Sequence, residues 1–510
     1  MSRMPSRFLR EGRQLPGELE EARQSIEALA RSYGLDFFDT IFEMCTYDEI
    51  NMVAAYGGFP TRYPHWRFGM EFLEMQKSYE YGLSKIYEMV INTDPSYAYL
   101  MDCNLVVDQK LVMAHVFGHV DFFKNNAWFA HTNRKMLDEM ANHATKVRNA
   151  MEKHGTGEVE AFIDQCLSID NLIDPHGPHI VRRRPIDEDA LDSEAPRADI
   201  PKMPARDYMD KHINPPDYLE DQRKRRDDEI RRMKGFPEEP VRDVMAFVLE
   251  HAPLPRWKQE ILRMIHDEAE YFAPQAQTKV MNEGWASYWH TLLMTRHILA
   301  PSEVIDYADH HSGTTAMRPG QFNPYKIGLE LWRHIEERWN KGRFGKEWLD
   351  CDDPVLRRNW DTGAGLGREK IFEIRRTHND ITFLDTFLTE DFCREMGFFT
   401  TKFDPKSREW LLDSREFHEV KQGLLNQLAS RGSPRIYVVD ANHENRGELR
   451  LWHDYDALDL QLEWATVTLG NLVSLWGGRP VHVDTRVEGK PVRLTHDGSE
   501  MKRQTRKEEE

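Results

Sequence analysis

Apolar residues recur along most of this chain at intervals of three and four, the period of a helix that buries one face. The pattern is clear in ELEEARQSIEALARSYGL (18–35), FGMEFLEMQKSYEYGLSKIYEMVI (68–91) and LVVDQKLVMAHVFGHVDFFKNNAWF (105–129). It continues in NRKMLDEMANHATKVRNAMEKHG (133–155), with Gly155 as the stop, and in the segments 241–253, 255–274, 277–299, 324–345 and 368–397. Between the first and second of these, GGFPTRYPHWRFG (57–69) reads as an aromatic-rich turn. The period changes near residue 432. PRIYVVDAN and GELRLWHDYD alternate like strands, DLQLEWATVTLGNLVSLWGG is helical, and RPVHVDTRV with KPVRLTH forms a second strand pair.

The patterning predicts a mainly α protein. A large helical domain, about 15–430, carries an HxxxH helix, and a small α+β domain follows over 432–498. A disordered tail is expected at 499–510. Residues 180–235 interrupt the helical domain with a charged, proline-broken insert, RRRPIDEDALDSEAPRADIPKMPARD, and a solvated helix near DYLEDQRKRRDDEIRRMKG.

Charge narrows the function classes. The 68 Lys and Arg against 86 Asp and Glu leave a formal net charge of −18, which opposes general nucleic-acid or anionic-membrane binding. Five cysteines without a CxxC pair suit a reducing cytoplasm. The start of the sequence shows no apolar signal-peptide region, and no run reaches the ~20 apolar residues of a membrane helix. A cytoplasmic protein is expected.

The chemistry concentrates in VMAHVFGHVDFF (112–123). His115 and His119, four apart, share one helix face and can hold one ion between their imidazoles. Zincin-type metallopeptidases carry a glutamate directly after the first histidine; here that position is Val116. Two histidines alone make a weak site, because a catalytic zinc takes three protein ligands. The third is sought in KVMNEGWASYWHTLLMTRH (279–297), where Glu283 stands in an apolar helical pattern that disfavours an unpartnered carboxylate. The expected metal set is His115, His119 and Glu283, holding Zn²⁺ or another divalent transition metal.

His290 lies seven residues after Glu283, roughly 10.5 Å along the axis. It is placed as a fourth ligand, as a group behind the ligands, or as a proton-transfer residue. His297 is expected to be structural or part of a polar channel. With Val116 in the usual base position, Glu283 could serve as base with His290 as third ligand; Glu268 and Glu270 are further candidates. Tyr325, after a proline turn at a helix start, is either an oxyanion donor or an aromatic staple. His65 is expected to pack among aromatics, and His310 and His311 to reach the same pocket from a loop. DTGAGLGREK (361–370) fails the dinucleotide and P-loop templates and reads as a loop. Cys103 is expected to be small and buried.

The stretches YPHWRFGMEF (63–72), LVMAHVFGHVDFFKNN (111–126), QTKVMNEGWASYWH (277–290) and NPYKIG (323–328) resemble, in combination and in order, the stage V sporulation protein R (SpoVR) family. The resemblance spans roughly residues 20–495. It implies a cytoplasmic bacterial protein linked to spore cortex formation or to stationary-phase stress. It also implies association with a PrkA-type serine kinase and a von Willebrand A-type protein. Two functions are expected from these readings. One is a metal-dependent hydrolase acting on an amide-type bond, in a peptide or a peptidoglycan precursor, with Glu283, His290 and Tyr325 as catalytic residues. The other is a non-catalytic partner in the kinase system with a structural or vestigial metal site.

Overall fold

The computed structural model describes residues 14–80, 89–180, 236–317, 322–404, 409–430, 433–456 and 458–506, with isolated positions between 209 and 220. Most of the charged insert, and with it the helix expected near 217–235, lies outside the described residues. The protein is mainly α, with a sheet-containing C-terminal region. It divides into two compact units, one of residues 1–160 and 270–432, the other of residues 161–269 and 433–510. The division falls within the helices Thr156–Leu167 and Arg256–Gln277.

The first unit is built around three helices, Val106–Asn125, Lys279–Leu293 and Pro324–Asn340. Every residue from Leu111 to Phe123 in the first of these is buried, as expected of a helix that is apolar on all sides. Trp285, Trp289 and Trp332 are fully buried in the same core.

Small residues set the spacing of these helices. A Cβ on Gly118 would lie 2.7 Å from the Ala286 Cα, and one on Gly284 would lie 2.3 Å from the Gly328 carbonyl carbon. The Lys279–Leu293 helix is thus clasped on two sides at near backbone contact. Its N-terminus is capped from a distance: Asp380 accepts hydrogen bonds from the Val280 and Met281 amides, both at 2.9 Å. These are two of the donors that a helix leaves unsatisfied at its start.

A three-stranded sheet, in the order Thr40–Cys45, Ser96–Met101, Met89–Ile91, precedes the histidine-bearing helix. Helical patterning is expected to run through residue 91, but Met89–Ile91 instead pairs antiparallel with Ser96–Met101. Short apolar runs such as MVI carry no period, so the partner strand decides their conformation.

In the second unit, five strands lie in the order Met501–Thr505, Lys490–His496, Val481–Val487, Glu448–His453, Ile436–His443. The strands expected from alternation all form. The helix Leu462–Leu475 connects Glu448–His453 to its parallel neighbour Val481–Val487, the crossover that a parallel pair requires. The disordered tail expected from residue 499 is corrected: Met501–Thr505 is an edge strand paired with Lys490–His496. Its polar sequence hides it from a hydrophobicity pattern, because backbone pairing rather than burial holds it. Cys103 is exposed, not buried as expected; it follows the end of the Ser96–Met101 strand, in the turn that leads into the histidine helix.

Candidate metal centre

The histidine helix and the Lys279–Leu293 helix run antiparallel: His119 meets Asn282, Gly118 meets Ala286, and His115 meets His290. Buried polar groups hold this register. Asp121, fully buried, accepts from the Trp285 indole at 2.8 Å, from the Asp36 amide at 2.8 Å and from Arg375 at 2.5 Å. Burial pushes its carboxyl upward, and the Arg375 guanidinium opposes that shift. Asp121 points away from the histidines, as its place on the helix predicts, and it pins the helix rather than serving the site.

On the other face, His115, His119 and Glu283 converge, with their ligand atoms within 4.8 Å of one another. Glu283 Oε2 stands 3.6 Å from His115 Nε2 and 3.4 Å from His119 Nε2. Two ligand atoms 2.0–2.2 Å from one tetrahedral ion are about 3.4 Å apart. The spacing therefore fits a shared cation, and it exceeds the 2.7–3.2 Å of a good N–H···O bond. The His115 and His119 side chains are 3% and 5% exposed and that of Glu283 16%, so Glu283 is the least buried of the three, although its Oε2 is itself buried.

Both imidazoles are oriented from behind. His119 Nδ1 is 2.8 Å from Asn282 Oδ1, and an amide oxygen only accepts, so Nδ1 carries the proton and Nε2 presents its lone pair to the site. His115 Nδ1 is 2.8 Å from His290 Nδ1. His290 Nε2 is in turn 3.3 Å from His311 Nδ1, and the His311 ring stacks on Tyr307. Partners on the far side of ligating imidazoles are what metal sites use to fix ring and tautomer.

The structure thus brings together His115, His119, Glu283 and His290, with His290 against the Nδ1 edge of His115, opposite the edge that faces Glu283. Neither Glu268 nor Glu270 is among the atoms that converge with the two histidines. Tyr325 lies over His115, ring centroids 6.3 Å apart and nearly parallel, at the start of a helix capped by Asn323. His310 and His311 do reach this region, but from the helix Val304–Thr315 and not from a loop. His310 bonds Asp108 at 2.8 Å. Burial, then Arg333 and Lys326, hold His311 below the usual histidine range. His297 contacts the Tyr33 hydroxyl at 2.8 Å, and His65 is buried among Tyr63, Trp66 and Phe68.

Sequence patterning did not assign roles to Asn282, Asp380 or Arg375. Asn282, a polar residue beside Glu283 in an apolar helix, carries a signal of its own. Asp380 and Arg375 lie about a hundred residues or more from the groups they hold, and no local pattern marks them.

Comparison with known proteins matches residues 14–433 to the family model described as SpoVR like protein. A relative described as the uncharacterized protein YcgB of Escherichia coli (strain K12) is 28% identical over 435 residues, covering 80% of this chain and 79% of that protein. No solved structure matches the chain. Among the described residues, no helix is long and apolar enough to cross a membrane.

Proposed function

Starting from the finding that this chain belongs to the SpoVR-like family, we propose that it is a metal-dependent hydrolase of amide-type bonds. Its cation would be held by His115 Nε2, His119 Nε2 and Glu283. The observation that carries this reading is the spacing of Glu283 Oε2 from the two imidazole nitrogens, 3.6 and 3.4 Å, which matches two ligands on one ion. Two imidazoles and a carboxylate suit Zn²⁺ and also Fe²⁺ or Mn²⁺. Such an ion supplies Lewis acidity and brings a water's pKa toward neutrality.

The chain's own groups would do the rest. Tyr325, whose ring stacks on that of His115, would donate a hydrogen bond to charge developing on a carbonyl oxygen. Glu283, the least buried of the three, would accept the proton. His290 would support His115 from behind. A peptide or a peptidoglycan precursor supplies the bond type, in keeping with the sporulation and stationary-phase role that the family resemblance implies.

Val116 favours a second reading. It is fully buried where a zincin-type peptidase carries its general base. A chain without that base also suits a non-catalytic partner of a PrkA-type kinase and a von Willebrand A-type protein, with a structural metal.

Elemental analysis of untagged protein tests the metal. Near-stoichiometric Zn, Fe or Mn in the native chain, lost in His115→Ala/His119→Ala and in Glu283→Ala, is the expected result. A native chain that takes up none of these when they are supplied defeats the metal reading. Metal retention without turnover across amide substrates leaves the partner reading.

A further inference from the structure

Three histidines from three helices form a line behind the candidate centre: His115 of Val106–Asn125, His290 of Lys279–Leu293 and His311 of Val304–Thr315. The two links are Nδ1 to Nδ1 at 2.8 Å and Nε2 to Nδ1 at 3.3 Å. A neutral imidazole has one N–H and one lone pair, so each link holds one proton and the order of donors is coupled along the line. If His115 gives its Nε2 lone pair to a cation, its proton sits on Nδ1 and must be donated to His290. His290 then accepts at Nδ1, carries its own proton on Nε2 and donates to His311 Nδ1. His311 is left with Nε2–H.

We propose that His290 and His311 are positioning residues that hold His115 in the Nδ1–H tautomer, so that Nε2 is its ligand atom. This inference rests on the metal reading above and assigns His290 to the supporting line rather than to the ion. The two ligating histidines are then supported unequally. His119 leans on an amide oxygen that can only accept, which dictates its tautomer outright. His115 leans on an imidazole that can donate or accept, so its tautomer depends on the next member of the line. His311 is held by its stack on Tyr307, 5.7 Å between centroids with the rings 6° apart, and by the bond to His290. The chain of dependence ends at a half-buried residue on a helix that carries no ligand.

Partners of this kind shift metal affinity by roughly 10–100-fold, which gives the test its scale. Zinc affinity is measured by chelator competition for the native chain, His290→Leu, His290→Asn and His311→Leu. His290→Leu removes the acceptor and is expected to weaken zinc about 10–100-fold. His290→Asn can return an oxygen close to the Nδ1 position and is expected to recover most of that loss, which a purely structural role of the ring would not predict. His311→Leu is expected to weaken zinc by a smaller factor. In parallel, the tautomers of the zinc-loaded native chain are read from ¹⁵N shifts of selectively labelled histidines, assigned by these variants. His290 and His311 are both expected as Nε2–H.

Native-like affinity in His290→Leu overturns the inference, as does an Nδ1–H or doubly protonated His290 in the loaded protein. Either result leaves the metal reading intact as long as the native chain binds zinc. A native chain that binds none fails at the earlier step instead. Circular dichroism of each variant separates misfolding from lost affinity, and His290→Asn against His290→Leu compares two replacements of the same ring.

Discussion

Histidines meet carboxylates among the helices of the first unit and again on the sheet of the second. On the sheet, His482 Nε2 meets Glu448 at 2.7 Å and its Nδ1 meets Thr495 at 2.9 Å, while His453 Nδ1 meets Thr485 at 2.8 Å. These are hydrogen-bond lengths, and both ring nitrogens of His482 are engaged at that range. Among the helices, the backs of His115 and His119 are bonded equally closely, but their Nε2 atoms stand off Glu283 at 3.6 and 3.4 Å. Groups at 2.7–2.9 Å satisfy one another as hydrogen bonds, whereas a spacing of 3.4–3.6 Å between ring nitrogens and a carboxylate is also that of two ligands around one ion.

The sharpest break of this comparison is to disable each cluster in turn. His115→Ala/His119→Ala is expected to abolish metal uptake, while His482→Ala is expected to leave the metal-to-protein ratio unchanged. Metal that follows His482 instead would reverse the assignment.

The next largest effect concerns the pin behind the helical cluster. Asp121→Ala leaves Arg375 buried without its carboxylate, and removing one partner of a buried pair costs about 3–5 kcal/mol. Denaturant unfolding should register that loss. A change below 1 kcal/mol would show that the register is held elsewhere.

Spacing comes third. Gly284→Ala puts a methyl 2.3 Å from the Gly328 carbonyl carbon, and overpacking of this kind costs about 1–3 kcal/mol. Because the residue follows Glu283 directly, metal affinity is expected to fall along with stability. Lost stability with unchanged metal affinity would separate the packing from the site.

The smallest effect belongs to the sheet and sharpens its role as a satisfied network. The hydrogen bond from Arg446, aided by His482, holds Glu448 at about 2, below its usual 4.5. Against the upward push of burial, Arg493 and Arg450 hold Asp484 at about 2, below 3.8. Both carboxyls are more acidic folded than unfolded. Their stabilisation is therefore present above about pH 4.5 and fades as pH falls toward 2. Glu448→Gln with Asp484→Asn should flatten the acid limb of an unfolding curve between pH 4.5 and 2, followed by circular dichroism. An unchanged limb would remove these carboxylates from the account.

Much of this could be read locally. The helices Gly17–Ser32, Val106–Asn125, Met136–His154, Arg256–Gln277, Lys279–Leu293, Pro324–Asn340 and Gly367–Thr377 follow the 3.6-residue period, Gly155 ends its helix at φ 92° as a stop residue should, and the C-terminal strands follow alternation. The pair His115 and His119 is legible because four residues make one helical turn, and Glu283 stands out because a carboxylate in an apolar helix needs a reason. Strands that owe their form to a neighbour were not legible: Met89–Ile91 sits at the end of a helical pattern, and Met501–Thr505 in a polar tail.

By itself the sequence determined which residues could act, since periodicity and residue chemistry are properties of short stretches. It left open which atoms of those residues meet. That Glu283 faces the Nε2 atoms, while His290 lies behind His115, depends on the register of two antiparallel helices. Gly118 against Ala286, Gly284 against Gly328, and Asp121 on Trp285 and Arg375 set that register, all from positions distant in the chain. A ring has two nitrogens on opposite edges, and only the packing of the helices decides which edge looks into the site.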